Sequence, residues 1–147
     1  NVAKFDIERI KKELDENVSI TLLHIQRSCG YQWRPSISID EIKTLTDFIK
    51  VNYKQKGRDI VVFVDNCYGE LVEDREPTHV GVDLMAGSLI KNFGGTLAPS
   101  GAYVVGRKDL VNRARVHLSA PGVDGGATFN QYLNLFQVTN CLSSSAD

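Results

Sequence analysis

Residues 60–64 read IVVFV and decide the fold, with Gly57 shortly before them and a carboxylate, Asp65, directly after. Five consecutive apolar residues, most of them β-branched, are typical of a strand that is covered on both faces of a parallel sheet. An earlier segment, residues 18–25 (VSITLLHI), has the same character. Both segments are therefore predicted to be buried parallel strands.

A helix is predicted between these two strands. Ser38 and Glu41 form a capping-box pattern at its start. The apolar residues that follow, including Ile42, Leu45 and Ile49, recur at helical spacing. A strand, a helix and a second strand of this kind form a βαβ unit, whose two strands run parallel.

The remaining patterns extend this unit into one α/β domain. Amphipathic spacing predicts a surface helix over residues 7–17, and short apolar runs predict strands at 82–87 and 102–105. Two further helices are predicted, at 107–117 and 128–138. No internal repeat or long linker divides the chain. The predicted fold class is α/β, with a mostly parallel sheet and flanking helices.

Composition excludes several classes of function. The 17 Lys and Arg residues against 18 Asp and Glu give a net charge of −1, whereas nucleic-acid binding needs a basic excess. No apolar run approaches the roughly 20 residues of a membrane helix, and no signal-peptide pattern opens the chain. The three cysteines have neither zinc-site nor disulfide-framework spacing, so reduced intracellular thiols and no metal site are expected.

Polar residues follow three of the predicted strands, at the carboxyl ends where open α/β sheets bind ligands. These clusters are residues 26–28 (QRS), 65–69 (DNCYG) and 88–91 (SLIK). Together they predict one composite site. A carboxylate at the end of a buried strand needs a cation or a donor beside it. Burial is expected to lower the pKa of Lys91, which suits carbonyl chemistry.

Other interpretations of these residues stay open or fail. A strand-end aspartate such as Asp65 is also a common turn former, and a lysine in a glycine-rich loop is most often solvated. Asp65 is similar to the nucleophile of phosphoaspartate enzymes, but Cys67 replaces the second aspartate expected two residues later. The glycine-rich segment 94–106 fits neither the dinucleotide-binding nor the phosphate-loop pattern.

Three longer motifs, taken together, resemble one family of enzymes. They are residues 26–36 (QRSCGYQWRPS), 64–70 (VDNCYGE) and 86–95 (AGSLIKNFGG), with Lys91 placed 26 residues after Asp65. They are similar to the pyridoxal-phosphate-dependent methionine γ-lyase-like family, also called aluminium resistance proteins, of the Cys/Met-metabolism class. The resemblance runs from about residue 6 to residue 136 and implies the central part of a fold-type-I large domain.

The resemblance implies a role for three of the strand-end residues. Lys91 would form the internal aldimine with pyridoxal 5'-phosphate and would then move protons at the substrate Cα and neighbouring carbons. Asp65 would pair with the pyridine nitrogen and keep it protonated. Ser88 would donate its hydroxyl to the cofactor phosphate.

Other side chains have two possible roles each. Tyr68 would stack on or donate to the cofactor, or would simply pack. Arg27 and Arg34 are candidates to bind the substrate carboxylate, with ordinary surface positions as the alternative. His24 is expected to be a hydrogen-bonded core residue rather than a catalyst. Cys67 is expected to be a small buried hydrophobe, with an oxidation-sensitive thiol as the alternative.

The implied reaction is elimination across a C–S bond of a sulfur amino acid, of the methionine γ-lyase or cystathionine lyase type, which releases a thiol, a 2-oxo acid and ammonia. The chain is expected to be a partial cofactor-binding domain, without the family's N-terminal segment and small C-terminal domain, and divergent over about 137–147. The full-length protein is expected to be a dimer or tetramer in the cytoplasm or a plastid. The alternative is a non-catalytic α/β fragment or interaction module.

Overall fold

The computed structural model describes residues 5–94, 97 and 100–118. The helices and strands of this part are α1 (Ile7–Glu16), β1 (Leu22–Gln26), α2 (Ile39–Asn52), β2 (Val61–Asp65), β3 (Leu84–Ser88), β4 (Ala102–Gly106) and α3 (Lys108–Leu118). Two short 3-10 helices, Lys54–Lys56 and Pro77–Val80, precede β2 and β3. The helix predicted at 128–138 lies outside the described residues. None of the described helices has the length and apolar character of a membrane span.

The four strands form one sheet in the order β1-β2-β3-β4. The first three are parallel and β4 is antiparallel to β3. The prediction of an α/β fold with a mostly parallel sheet is therefore confirmed. In the register of the parallel strands, Gln26 lies opposite Asp65, and Asp65 lies opposite Ala86. The carboxyl ends of the three strands thus meet at one edge.

Helix α2 begins as its sequence predicts. The Ser38 hydroxyl accepts the backbone N–H of Glu41, and the Glu41 carboxylate accepts the backbone N–H of Ser38 at 2.8 Å. This reciprocal pair satisfies N–H groups that a helix start otherwise leaves unpaired. The helix contributes its buried apolar side to a core shared with α1 and with alternate residues of β1, β2 and β3; the buried members include Leu14, Ile25, Ile42, Leu45, Ile49, Val62, Val64 and Met85.

The two faces of the sheet differ in burial. Alternate residues of β1 and β2, such as Ile25 and Val64, are buried, while the residues between them are half-buried or exposed. The prediction that both faces of β1 are covered was wrong, because the described part of the chain places no full layer over Leu22 and His24. His24 is not a core residue either; it is exposed and stacks on Phe63, with ring centroids 5.1 Å apart.

A buried carboxylate at the start of β3 joins three parts of the chain. Asp83 accepts the backbone N–H of Val62 at 2.7 Å and the Lys54 ammonium at 2.6 Å, and Arg107 lies 3.6 Å away. Charge-assisted hydrogen bonds of this kind compensate for the loss of water around a buried carboxylate. Asp83 therefore stabilises the pairing of β2 with β3.

The variant Asp83→Asn is expected to lower the free energy of unfolding by about 3 kcal/mol, because it leaves the Lys54 charge without its buried partner. Asp59→Asn is the matched control, since Asp59 also binds Arg107 but is 57% exposed, against 8% for Asp83. The control is expected to cost less than about 1 kcal/mol. Urea unfolding of the purified protein measures both, and equal losses would refute the assignment.

Candidate functional site

Two of the predicted residues end neighbouring strands. Asp65 is the last residue of β2 and Ser88 is the last residue of β3. Because Asp65 pairs with Ala86, and side chains alternate along a strand, Asp65 and Ser88 lie on the same face of the sheet. That face is opposite to the buried core.

Lys91 and Tyr68 meet at this edge, from the turns that follow β3 and β2. The Lys91 Nζ atom lies 4.4 Å from the centroid of the Tyr68 ring, a cation–π contact. Tyr68 is 60% exposed, so its ring is presented to solvent. Its backbone has a positive φ of 66°. The structure therefore brings together Asp65, Tyr68, Ser88 and Lys91, which we call the strand-end cluster.

Both strand-end side chains also take part in local turns. The Asp65 Oδ1 atom accepts the backbone N–H of Cys67 at 3.0 Å, and the Ser88 hydroxyl oxygen accepts the backbone N–H of Ile90 at 3.3 Å. The turn-forming role of Asp65 is thus real. An ionised carboxylate can accept about four hydrogen bonds, so Asp65 keeps capacity for a ligand.

Lys91 differs from its prediction in its pKa. Partial burial lowers the pKa of Lys91, but a hydrogen bond to Cys67 and the electrostatic influence of Cys67, Tyr68 and Asp65 raise it by more. The net pKa is raised, so the prediction of a lowered pKa was wrong: acceptors around the amine outweigh burial. The Cys67 thiol is only half-buried, and its pKa is raised by burial and by Asp65.

Arg27 lines a pocket together with Tyr68, but its guanidinium is engaged in a buried polar network. Its side chain is only 4% exposed and donates to Asn66 Oδ1 at 2.8 Å, to the Gly69 carbonyl oxygen at 2.7 Å and to Glu73 Oε1 at 2.6 Å. This is neither a surface position nor one that faces Lys91. The guanidinium stabilises the loop after β2 from the buried side of the sheet.

Arg34 is likewise engaged in its own loop. Its guanidinium donates to the backbone carbonyl oxygens of Gln26, Ser28 and Pro35. These bonds fix the course of the chain between β1 and α2.

Sequence reasoning missed a buried polar network behind the cluster. Glu70 is 1% exposed, and its Oε1 atom accepts the Tyr103 hydroxyl at 2.9 Å. The Asn66 amide donates to the Tyr103 oxygen at 3.1 Å and to Glu76 at 2.8 Å. Burial raises the pKa of Tyr103, and the bond to Glu70 adds to this shift.

One signal in the sequence could have indicated this network. Gly87 is a glycine inside a strand, which often marks a close approach by another group. A Cβ atom at Gly87 would clash with the Tyr103 hydroxyl and the Glu70 carboxylate. The glycine therefore provides the space that these two side chains occupy.

The fold and the cluster together define an α/β domain that gathers a lysine, a carboxylate, a hydroxyl and an aromatic ring at the carboxyl ends of adjacent strands. Comparison with known proteins gives the family. Residues 1–142 match the model of the methionine gamma-lyase family, and the chain belongs to that family.

Two relatives show how much of the family's length is present. The chain is 47% identical over 115 residues to an uncharacterized 33.9 kDa protein of Lactobacillus delbrueckii, covering 77% of the chain and 36% of the relative. It is 41% identical over 136 residues to the uncharacterized protein YnbB of Bacillus subtilis, covering 91% of the chain and 31% of the relative. The chain thus spans about a third of the length of these proteins.

Solved structures agree with this assignment. A carbon-sulfur lyase involved in aluminum resistance from Clostridium novyi superposes with a TM-score of 0.79 at 45% identity, over 95% of this chain and 31% of that one. A Clostridium acetobutylicum protein, provisionally named a cystathionine beta-lyase, gives 0.80 at 44% identity, over 95% and 32%. Yeast cystathionine gamma-lyase, at 19% identity and a TM-score of 0.58, over 88% and 32%, shares the fold.

Replacing Arg27 with Ala is expected to lower the free energy of unfolding by about 3–5 kcal/mol, because Glu73 loses its charged partner and Asn66 a donor. Arg75→Ala, which removes an exposed pair with Asp40, is the control and should cost less than about 1 kcal/mol. Denaturant unfolding distinguishes them. If Arg27→Ala instead had normal stability and bound a carboxylate ligand more weakly, Arg27 would be assigned a role in ligand binding.

Proposed function

We propose that the chain is the cofactor-binding part of a pyridoxal-phosphate-dependent carbon-sulfur lyase that acts on a sulfur amino acid. One observation carries this proposal: the Lys91 amine, the Asp65 carboxylate and the Tyr68 ring converge where β2 and β3 end. Membership of the methionine gamma-lyase family supports it, as does the similarity to a carbon-sulfur lyase from Clostridium novyi.

The strand-end cluster fits pyridoxal 5'-phosphate in its donor set. The Lys91 amine would form the covalent link to the cofactor's aldehyde carbon, with release of water. The Asp65 carboxylate, which has unused acceptor capacity, would bind a protonated ring nitrogen. The Ser88 hydroxyl would donate to a phosphate oxygen, and the exposed Tyr68 ring offers an apolar face to a flat ring.

When bound, the cofactor supplies an electron sink that stabilises negative charge at the substrate Cα. Asp65 would hold the proton on the ring nitrogen that this sink requires. Lys91, once freed from the cofactor by the substrate amine, would take the Cα proton and return protons at neighbouring carbons. To do so its amine must be neutral, which its raised pKa opposes in the free protein.

The substrate carboxylate needs a donor other than Arg27. That guanidinium is buried against Asn66, Gly69 and Glu73. The N–H groups of Arg34 are likewise turned to backbone oxygens. We therefore infer that the carboxylate clamp lies outside the described residues, in the remainder of the protein or in a second subunit of a dimer or tetramer.

A second candidate function follows from the length of the chain relative to its relatives. The chain spans about a third of its relatives, so the alternative is a non-catalytic α/β fragment or interaction module. Binding of the cofactor separates the two candidates. The compartment, cytoplasm or plastid, stays a prediction.

Lys91→Ala is expected to abolish covalent attachment of pyridoxal phosphate, because it removes the amine that binds the aldehyde. The purified protein is titrated with the cofactor, reduced with borohydride and mapped by peptide mass spectrometry, and lyase activity is assayed in parallel. Lys56→Ala is the control, because Lys56 is an exposed lysine in the short 3-10 helix that precedes β2 and is not part of the strand-end cluster. An unchanged adduct in Lys91→Ala, or labelling spread over many lysines, would reject the proposed function.

The rate of this attachment is expected to rise with pH and to keep rising past pH 10, the ordinary range of lysine, because the raised pKa keeps Lys91 protonated. Cys67→Ala removes a partner that raises this pKa. The variant should therefore contain more neutral amine at pH 8 and react faster than the wild type. Cys29→Ala is the control. A slower reaction in Cys67→Ala would contradict this assignment.

A further inference from the structure

The turn that carries Lys91 is attached on two sides to a pair of residues, the buried Glu70 and the half-buried Tyr103. The Asn92 side-chain amide donates to the backbone oxygen of Glu70 at 2.9 Å. The Phe93 ring meets the Tyr103 ring edge to face, with centroids 5.6 Å apart and planes at 87°. Both residues directly after Lys91 are thus held by Glu70 and Tyr103.

Glu70 and Tyr103 are themselves fixed in place. They share the 2.9 Å hydrogen bond from the tyrosine hydroxyl to Oε1, in a space that Gly87 leaves open. The second oxygen of Glu70, Oε2, is buried and accepts no hydrogen bond from the described side chains and backbone. A carboxylate in this state is costly.

The same pair also holds the chain beside Asp65. Asn66, the next residue, donates its amide to the Tyr103 oxygen at 3.1 Å. The Asp65 side chain lies on the sheet face that carries the strand-end cluster, while the Asn66 side chain lies on the buried face. The side chains of successive residues in an extended chain point to opposite faces. Asp65 and Lys91 are therefore each followed by an asparagine that is bound to the Glu70–Tyr103 pair.

We propose that Glu70 and Tyr103 form a positioning pair that sets where the Lys91 amine lies relative to the Asp65 carboxylate. This inference rests on the proposed function, since it concerns how the cofactor's aldehyde carbon and ring nitrogen are reached at the same time. Neither residue of the pair belongs to the strand-end cluster. They act through Asn92, Phe93 and Asn66.

Covalent attachment depends on small displacements, because a misplacement of about 1 Å at a reacting group costs on the order of a hundredfold in rate. Loosening the Lys91 turn is therefore expected to slow attachment at saturating cofactor. The cofactor concentration that gives half-maximal rate should not change, because Asp65 and Ser88 remain. A purely structural role would lower thermal stability without this separation of rate from affinity.

The experiment compares Asn92→Ala and Phe93→Leu, alone and combined, in the purified full-length protein. The matched controls are Asn52→Ala and Phe48→Leu. Asn52 donates to a backbone oxygen at 3.0 Å, and the Phe48 ring meets Tyr53 edge to face at 5.9 Å, both on α2 and away from the cluster. The readouts are the rate of borohydride-trapped labelling of Lys91, the absorption spectrum of the bound cofactor and the melting temperature.

Each single substitution of the Lys91 turn is expected to slow labelling about fivefold, and the double substitution about twentyfold. A shifted absorption maximum should accompany the change in rate, while the two controls label like the wild type. Tyr103→Phe keeps the ring beside Phe93 but removes both hydroxyl bonds. It should slow labelling by a similar factor.

Three outcomes would overturn the inference. If Lys91 is labelled in the wild-type protein and the double variant is labelled at the same rate, the positioning pair is rejected and the proposed function is left intact. Equal slowing in the Asn52 and Phe48 controls assigns the effect to general stability and also rejects the pair. No labelling of Lys91 in the wild type rejects the proposed function and this inference together.

Discussion

The hydrogen-bonded register between β2 and β3 is the constraint on which the site depends. It places Asp65 opposite Ala86, and so puts Ser88 and the turn that carries Lys91 just beyond the end of β2. The pairing is maintained from the opposite end of the strands by Asp83, whose carboxylate binds a backbone N–H of β2. Contacts at the amino ends of the strands therefore support the geometry at their carboxyl ends.

At the carboxyl ends of the strands, the two faces of the sheet carry different sets of side chains. One face carries Asp65 and Ser88, together with the exposed Tyr68 ring and the Lys91 amine. The other carries bonds among buried polar groups, with Asn66 at their centre. Hydrogen bonds of this kind hold loops more rigidly than apolar packing would, since each bond has a direction as well as a length.

The sequence was sufficient to predict the elements whose signal is local. The apolar run before Asp65 and the capping box at Ser38 depend on neighbouring residues alone, and the structure confirms both. Burial and charge depend on what folds next to a residue. His24 looked like a core residue because its neighbours are apolar. Lys91 looked desolvated because it follows a buried strand, and the acceptors that raise its pKa come from another loop.

The alternation of Asp65 and Asn66 has a consequence for how this family can change in length. If one residue were inserted within β2, every side chain beyond the insertion would change face. The Asp65 carboxylate would then point to the buried network, and the Asn66 amide would point to the face that carries the strand-end cluster. An insertion in the loop between α2 and β2 would leave both in place. Length variation is therefore expected to accumulate before β2 and to be absent within it.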